Sequence, residues 1–246
     1  MAESKTSRFE EKLGGVPAPA PEEQEYVPRV VFTKDAKPDL SKMQVPMLRI
    51  AQGMTDEVTS GKAQMGQLVL TNFPPVDEVI LIPLQAQNIR TYRPDPRARP
   101  KCQSPTGEFG IGDPGIICAE CPLSKWSKNP DTGKAVRPPC VEGVAVRAYS
   151  ATHRCVVDYF FMGQQSGSGQ FIQQQAMAFG YGDFGIKMRS QRQKNDKGTW
   201  AAPDLEMMMT VPDDQHEIAQ RWLSLLMEQA ETSEQAARQL GMGGGK

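Results

Sequence analysis

The chain has 246 residues, of which 39% are hydrophobic and 23% charged, so it can bury a core and is not disordered throughout. Its formal net charge of -1 excludes a uniformly basic or acidic protein, and no run of about 18 apolar residues predicts a membrane span. The N-terminus lacks the apolar stretch of a secretory signal, so we expect a cytoplasmic protein with no membrane partner.

The charge is distributed unevenly along the chain. From Ala86 to Trp200 there are 16 Lys and Arg residues against 9 Asp and Glu residues, whereas the segments on either side are acidic. A basic middle between acidic ends favours a polyanion as the partner.

The first part of the chain contains an arm and then strands. Residues 1–28 are rich in Pro and Glu and contain few apolar side chains, which predicts a disordered N-terminal arm. Val76–Leu84 is the first clear strand, because it is rich in β-branched residues and follows a turn-forming Pro-Pro pair. Two further strands are expected at 144–149 and 155–162, joined by a polar turn at 150–154.

A short helix and a hairpin follow these strands. Residues 167–180 predict the helix, with Ser168 as a possible N-cap and Gly180 as its C-terminal stop. The next strands, at 185–193 and 199–211, flank a KNDKG segment whose Asn, Asp and Gly are typical of a hairpin turn.

The end of the chain predicts an amphipathic helix. Pro212, Asp213 and Asp214 are helix-start residues, and apolar side chains then recur at the 3.6-residue period. The order of elements indicates an α+β, mainly β fold. We expect an OB-like Greek-key barrel elaborated by the cysteine-rich segment, with a C-terminal helix.

Four of the five cysteines lie within 39 positions, at the spacing C-x15-C-x2-C-x18-C. In a reducing cytoplasm, cysteines spaced in this way are typical of metal ligands. Four thiolates fit a tetrahedral site and leave no open coordination position, so we expect a structural Zn2+. The metal would also supply folding free energy to a Gly- and Pro-rich loop without an apolar core. The predicted ligands are Cys102, Cys118, Cys121 and Cys140.

Other interpretations of the cysteines remain open. They could be ordinary buried thiols, or they could hold an iron–sulfur cluster, which also uses four thiolates. Cys155, the fifth cysteine, is expected in the core of a strand. With His153 it forms an H-x-C pair that could instead replace one of the predicted ligands.

The sequence offers little support for catalysis. Its two histidines, His153 and His216, provide few general bases, and HEIAQ at 216–220 lacks the second histidine of H-E-x-x-H. GQQSG at 163–167 is not the G-x-S-x-G elbow, and the segment lacks the Lys-Ser/Thr of a P-loop. We therefore expect that the protein is not an enzyme.

Cations and aromatic residues occur together in the basic middle of the chain. Residues 90–101 contain five cations and a tyrosine, the predicted hairpin adds more cations and a tryptophan, and the cysteine loop adds Lys125, Trp126 and Lys128. Cations that contact phosphates, with aromatic rings on which unpaired bases stack, are typical of single-stranded nucleic-acid binding. The alternative is a set of solvated cations and core tryptophans. The predicted contact residues are Arg90, Tyr92, Arg93, Arg97, Arg99, Lys187, Arg189, Arg192, Lys194 and Trp200.

Three segments carry a resemblance to a known class of protein. PMLRIAQGMT at 46–55, GEFGIGDPGIICAECPLSKW at 107–126 and the PPC that precedes two strands resemble zinc-containing single-stranded DNA-binding proteins of tailed bacteriophages. The resemblance covers roughly 45–211 and is most specific at 110–122. It implies an OB-like body with a zinc loop, acting in phage DNA replication or recombination in the host cytoplasm. One difference is that this chain ends in GMGGGK, whereas such phage proteins often end in an acidic tail that recruits partners.

Two functions from different classes follow. The first is a protein that binds single-stranded DNA with little sequence preference and works beside replication or recombination proteins. The second is a phage protein–protein interaction module with a structural zinc, such as a polymerase accessory factor or inhibitor. The predicted organisation is an arm at 1–28, an OB-like nucleic-acid-binding domain at 29–211 with a zinc loop at 101–141, a C-terminal helical segment at 212–240 and a flexible tail at 241–246.

Overall fold

The computed structural model describes residues 44–95, 98–196 and 198–239. The predicted arm at 1–28, the start of the predicted OB-like domain, Arg97 and the predicted tail at 241–246 lie outside the described residues. The strands are β1 (Arg49–Ile50), β2 (Leu68–Val69), β3 (Glu78–Tyr92), β4 (Cys102–Ser104), β5 (Ile111–Gly112), β6 (Ser127–Lys128), β7 (Ala135–Val136), β8 (Cys140–Ser150), β9 (Cys155–Met162), β10 (Gly185–Asn195) and β11 (Gly198–Met208). The helices are α1 (Asp56–Thr59), α2 (Ser166–Phe179) and α3 (Asp213–Gln239).

The long strand β3 organises the main antiparallel sheet. Its first half, EVILIPL, has the β-branched and apolar residues of a buried strand. β8 pairs with it from Leu81 to Tyr92, and β9 pairs with β8 as a hairpin. On the other edge of β3, β10 pairs with 78–81 and β4 pairs with 90–92. One strand therefore connects the β10–β11 hairpin at one end with the cysteine-rich segment at the other.

The described sheet is not closed into a barrel, because no pairing joins β9 to β11. Residues 46–52 contact both of these strands instead. Leu48 N–H donates to the Asp158 carbonyl (2.9 Å), and Asp158 N–H donates to the Pro46 carbonyl (3.0 Å). The Gln52 side-chain amide donates to the Ala201 carbonyl (2.8 Å) and accepts from the Ala201 N–H (3.0 Å). The segment thus links two strands that do not pair directly.

The two faces of the sheet bury different cores. Val79 and Leu81 point into the main core, which α2 covers. Ile82 and Leu84 point to the opposite, outer face, where Trp222 of α3 packs against them. A β-bulge between Pro83 and Gln85 then shifts the alternation along β3. Polar residues of β3 beyond the bulge consequently occupy the outer face.

Most predicted elements are confirmed. The strands predicted at Val76–Leu84, 144–149 and 155–162, the late hairpin and the C-terminal helix are present, and the fold is mainly β with a large antiparallel sheet. The prediction of Ser168 as N-cap is wrong, because a 3-10 turn at Gly163–Gln165 leads into α2, which begins at Ser166. Gly180 ends this helix with a φ of 93°, a conformation that favours glycine. Among the described helices, none is long and apolar enough to cross a membrane.

Candidate metal centre and nucleic-acid interface

The cysteine loop, residues 101–141, has little regular structure and relies on short backbone contacts. Cys118 N–H donates to the Glu108 carbonyl (2.7 Å), and Gly110 N–H donates to the Ile116 carbonyl (2.9 Å). A Cβ atom at Gly110 would lie only 2.6 Å from the Cys102 Sγ atom. Glycine therefore allows the backbone to approach a buried sulfur, which explains part of the loop's glycine content.

Two kinds of element position the four predicted zinc ligands. Cys102 in β4 and Cys140 in β8 both lie opposite Tyr92 of β3, one on each side of it. Cys118 and Cys121 lie on one turn, in which Cys121 N–H donates to the Cys118 carbonyl (3.3 Å). All four side chains are buried, and all four line one small cavity. The sequence-predicted ligand set is therefore brought together around a common space.

The turn that carries two of these cysteines is braced by a serine. The Ser124 hydroxyl lies 2.7 Å from the Cys118 carbonyl and 2.7 Å from the Cys121 carbonyl. Its own N–H donates to the Cys121 carbonyl (3.1 Å). These contacts hold the turn through the carbonyl oxygens of Cys118 and Cys121, and they do not involve either sulfur.

The electrostatics of the cavity agree with this proximity. Burial raises the pKa of the Cys140 thiol, the Arg90 guanidinium opposes that rise, and the other three thiols of the cavity add to it. Four buried thiols are a donor set that suits zinc. Within the described residues, however, no group of three or more His, Cys, Asp and Glu side chains is arranged to hold a metal ion. The chemistry of the donors fits zinc, whereas their present positions do not form a finished coordination site.

Cys155 and His153 lie away from this cavity. Cys155 packs against the main core, as expected from the sequence, and burial raises the pKa of its thiol to about 11. His153 is buried at the β8–β9 turn, with Nδ1 2.9 Å from the Ser150 hydroxyl and its ring edge-on to Phe73. Neither residue is among those that line the cavity of the other four cysteines.

The first group of predicted nucleic-acid contacts lies at the end of β3 and just beyond it. Arg90 Nη2 donates to Glu142 Oε2 (2.8 Å), so its charge is already paired. Tyr92 is partly buried and forms part of the wall of the cysteine cavity. Arg93 and Arg99 are exposed in the segment that follows. In this group, the side chains beyond the strand are therefore more exposed than those on it.

The second group lies on the β10–β11 hairpin, and its members near the body of the sheet are paired. Lys187 Nζ lies 3.8 Å from Glu206 Oε2, and Arg189 forms an ion pair with Glu78. These two cations therefore have less charge to offer a phosphate than their sequence positions suggest.

Cations closer to the hairpin tip are more available. Arg192 is exposed and donates to the Met65 carbonyl (3.4 Å). Lys194 is exposed and forms no ion pair with a described residue. Trp200 is partly buried and lies opposite Gln193. The tip thus carries cations, but its tryptophan is not fully open for stacking.

The two groups do not form one patch. Arg189 lies opposite Glu78 at the start of β3, and Tyr92 is its last residue. At about 3.3 Å per residue, fourteen steps along a strand span on the order of 45 Å. The two groups are therefore separated along the chain by most of the length of β3.

An exposed tryptophan in the cysteine loop was not among the predicted contact residues. Trp126 is 65% exposed, and both Lys125 and Lys128 beside it are exposed. Arg137, across the β6–β7 hairpin, lines the same depression as Trp126. The K-W-x-K pattern was the available signal, whereas the approach of Arg137 depends on the strand pairing.

The sequence also missed a groove on the outer face of the sheet, called here the outer groove. It begins where the cover provided by α3 ends. The signal in the sequence was the alternation of polar residues in QAQNIRTY, which continues β3 beyond its apolar half. The outer groove is lined by Gln85, Gln87, Ile89, Arg90, Thr91, Gln103, Ser104, Pro105, Ile111, Ala145, Arg147, Asp158 and Phe160.

Comparison with known proteins finds no matching family model, no matching curated protein and no matching solved structure. The resemblance to phage proteins therefore stays an expectation drawn from the sequence.

Proposed function

We propose that the protein binds single-stranded DNA and performs no chemistry on it. The observation that carries this proposal is Trp126, a tryptophan 65% exposed between two exposed lysines. A ring of this size is normally buried in a core or at an interface, because its apolar surface is unfavourable in water. Beside cations it suits an unpaired base, which stacks on the ring while its phosphates contact the lysines.

The connectivity of the sheet supports the proposal. The order is a three-strand meander (β3, β8, β9), then α2, then a hairpin whose first strand returns to β3. This order supports an OB-like fold, in which the loops between strands 1 and 2 and between strands 4 and 5 contact oligonucleotides. Here the first of those loops contains the cysteine loop, and the second is the tip of the β10–β11 hairpin.

Non-specific contact is the expected mode at these two loops. Lysine and arginine contact phosphates, which are the same for every sequence, and a tryptophan ring accepts any base. Binding should therefore show little sequence preference there and should weaken as salt increases. A role in phage DNA replication or recombination, with proteins of those processes as partners, is the setting that the resemblance implies.

A structural Zn2+ on Cys102, Cys118, Cys121 and Cys140 is part of the proposal. Its ligands would come from β4, from β8 and from the turn between them, so the ion would join both ends of the cysteine loop to the sheet. Coordination requires the four sulfurs to lie at the corners of a tetrahedron around one ion. The ion would thereby fix the segment that presents Trp126.

A tryptophan-to-alanine substitution tests the proposal directly. Trp126→Ala should weaken binding to a labelled single strand by about 1–3 kcal/mol, with little change in the salt dependence. Met177→Ala, which removes an exposed apolar side chain from α2, is the control. The proposal is contradicted if Trp126→Ala binds as tightly as the wild type, or if Met177→Ala weakens binding equally.

One observation favours the second candidate, a protein–protein interaction module. Phe109, Ile111 and Ile117 of the cysteine loop are each about half exposed or more. Neighbouring exposed apolar side chains are typical of protein interfaces. If the wild type fails to bind single strands, these residues identify the surface on which a protein partner should be sought.

A further inference from the structure

One long stretch of the chain carries no charge. No Asp, Glu, Lys, Arg or His occurs from Tyr159 to Gly182, the longest such stretch in a sequence of which 23% is charged. The stretch contains the whole of α2. A surface helix usually has charged residues among the polar side chains that face water. Depletion of charge together with an exposed methionine is instead typical of the centre of a protein interface.

The helix α2 has one face against the sheet and one face away from it. Gly169, Ile172 and Ala176 are its buried residues, and a Cβ atom at Gly169 would lie only 2.5 Å from the Val144 Cβ atom. This close approach determines which way the helix is turned. The residues on the opposite side are exposed and recur at helical spacing. They form what is called here the outer α2 face: Gly167, Gln170, Gln174, Met177 and Ala178.

We propose that the outer α2 face binds the same face of a second copy of this chain, with the two helices antiparallel about a two-fold axis. A two-fold axis at the level of Ile172 places Gln170 opposite the partner's Gln174. The same axis places Gly167 opposite the partner's Met177. Each of these contacts occurs twice, as in any interface formed by one surface with itself.

The shape of the face is complementary to itself in this arrangement. Met177 is 82% exposed, so it projects from one end of the face. At the other end, a Cβ atom added to Gly167 would have no heavy atom within 4 Å, so there is open space above this glycine. The antiparallel pairing brings each projecting methionine to the space above the partner's glycine. An apolar side chain that is exposed in the single chain is thereby removed from water.

The polar groups of the face are also complementary to themselves. The amides of Gln170 and Gln174 form no hydrogen bond with the described part of the chain. An amide has both donors and an acceptor, so two facing amides can bond to each other. A face with charges of one sign would instead meet the same charges across the two-fold axis and be repelled.

The same neutrality argues against a charged partner on this face. A phosphate or a charged side chain placed against it would lose hydration without meeting an opposite charge. The second copy is neutral at the corresponding place, so it avoids this cost. One pair of helices of this length forms an interface at the low end of the size range, ~1,200 Å² or less, so the dimer should depend on protein concentration.

Sedimentation equilibrium of the full chain without DNA tests the inference. We expect the average mass to rise from that of one chain towards that of two as protein concentration increases. The mass of one chain at every concentration up to ~1 mM overturns the inference.

Charged substitutions identify the surface responsible. A variant with Gln170→Glu and Gln174→Glu places carboxylates opposite carboxylates and should weaken association by at least roughly 10-fold. A variant with Gln170→Lys and Gln174→Lys should behave in the same way. An equal mixture of the two variants should form a dimer again, because each carboxylate then faces an ammonium group. Circular dichroism checks that each variant is folded.

A matched control separates this contact from a general effect of added charge. Gln64→Glu with Gln85→Glu adds two carboxylates at exposed glutamines outside α2 and should dimerise as the wild type does. The inference is overturned if this control dissociates equally, if the α2 variants still dimerise alone, or if their mixture does not associate. Trp126 is not part of the outer α2 face, so this result and the DNA-binding result can fail separately.

Discussion

His153 is buried beside Ser150 and Phe73, and this burial determines its protonation. Burial lowers the pKa of the imidazole in the folded protein, whereas the unfolded chain keeps the ordinary value near 6.5. As pH falls through about 6.5, the unfolded state binds more protons than the folded state, so the free energy of unfolding decreases.

We expect this histidine to contribute measurably to acid sensitivity. Between pH 7 and pH 5, the wild type should lose more stability than His153→Gln, with a slope of at most about 1.4 kcal/mol per pH unit from this group. Chemical denaturation at several pH values measures the difference. A His153→Gln curve parallel to that of the wild type would show the assignment wrong.

The cysteines of the common cavity should differ from Cys155 in their effect on metal content. Protein purified without added metal should contain about one zinc per chain, because four thiolates close one tetrahedral site. Cys118→Ser should lose the zinc and loosen the cysteine loop, whereas Cys155→Ala should retain it and lose only ~1–3 kcal/mol of core packing.

Elemental analysis of each variant decides between the two cysteine positions. If Cys155→Ala lost the zinc and Cys118→Ser retained it, Cys155 and not Cys118 would be the zinc ligand. Iron with visible absorption, or no metal in the wild type, would show that the thiols are not zinc ligands.

At the scale of elements, the segment at 46–52 should stabilise the fold by joining β9 to β11. Gln52→Ala removes both hydrogen bonds to Ala201 and should lower the free energy of unfolding by about 1–3 kcal/mol. Urea denaturation measures this change. Gln64→Ala, at an exposed glutamine of the neighbouring turn, is the control, and equal midpoints for the two variants would contradict the account.

The hairpin offers a contrast between Arg189, which is paired with Glu78, and Lys194, which forms no ion pair with a described residue. Lys194→Ala should reduce the slope of log affinity against log salt by roughly 0.7, since one phosphate contact is lost. Arg189→Ala should change that slope less, because Glu78 already compensates the arginine. Titrations of a labelled single strand at several salt concentrations compare the two. A larger change for Arg189→Ala would mean that its ion pair opens on binding.

Local sequence signals predicted the longer elements, and they failed where tertiary context decides the outcome. The β-branched run at Val76–Leu84 predicted the first half of β3, and helical spacing predicted α3. The second half of β3 is polar, so its extension to Tyr92 depends on pairing with β8 and β4 and not on propensity. The start of α2 was misplaced because a 3-10 turn precedes it.

At the scale of the whole molecule, the candidate site was predictable where it depends on residue spacing and not where it depends on how the strands pair. Cysteine spacing alone indicated which four thiols share a cavity, since C-x2-C fixes one pair and closing the loop requires the others. The predicted cations lie near the two opposite ends of β3. Their common basic character did not reveal this separation, because it depends on strand register. The outer groove arises from five strands and a bulge, so no single segment predicts it.

The central claim, that this fold binds unpaired DNA, is tested most directly by titrating the full chain against labelled single-stranded and duplex DNA across a range of salt concentrations. We expect tighter binding to the single strand at physiological salt, with log affinity falling linearly as log salt rises. Equal affinity for the two forms, or no binding to either, would contradict it.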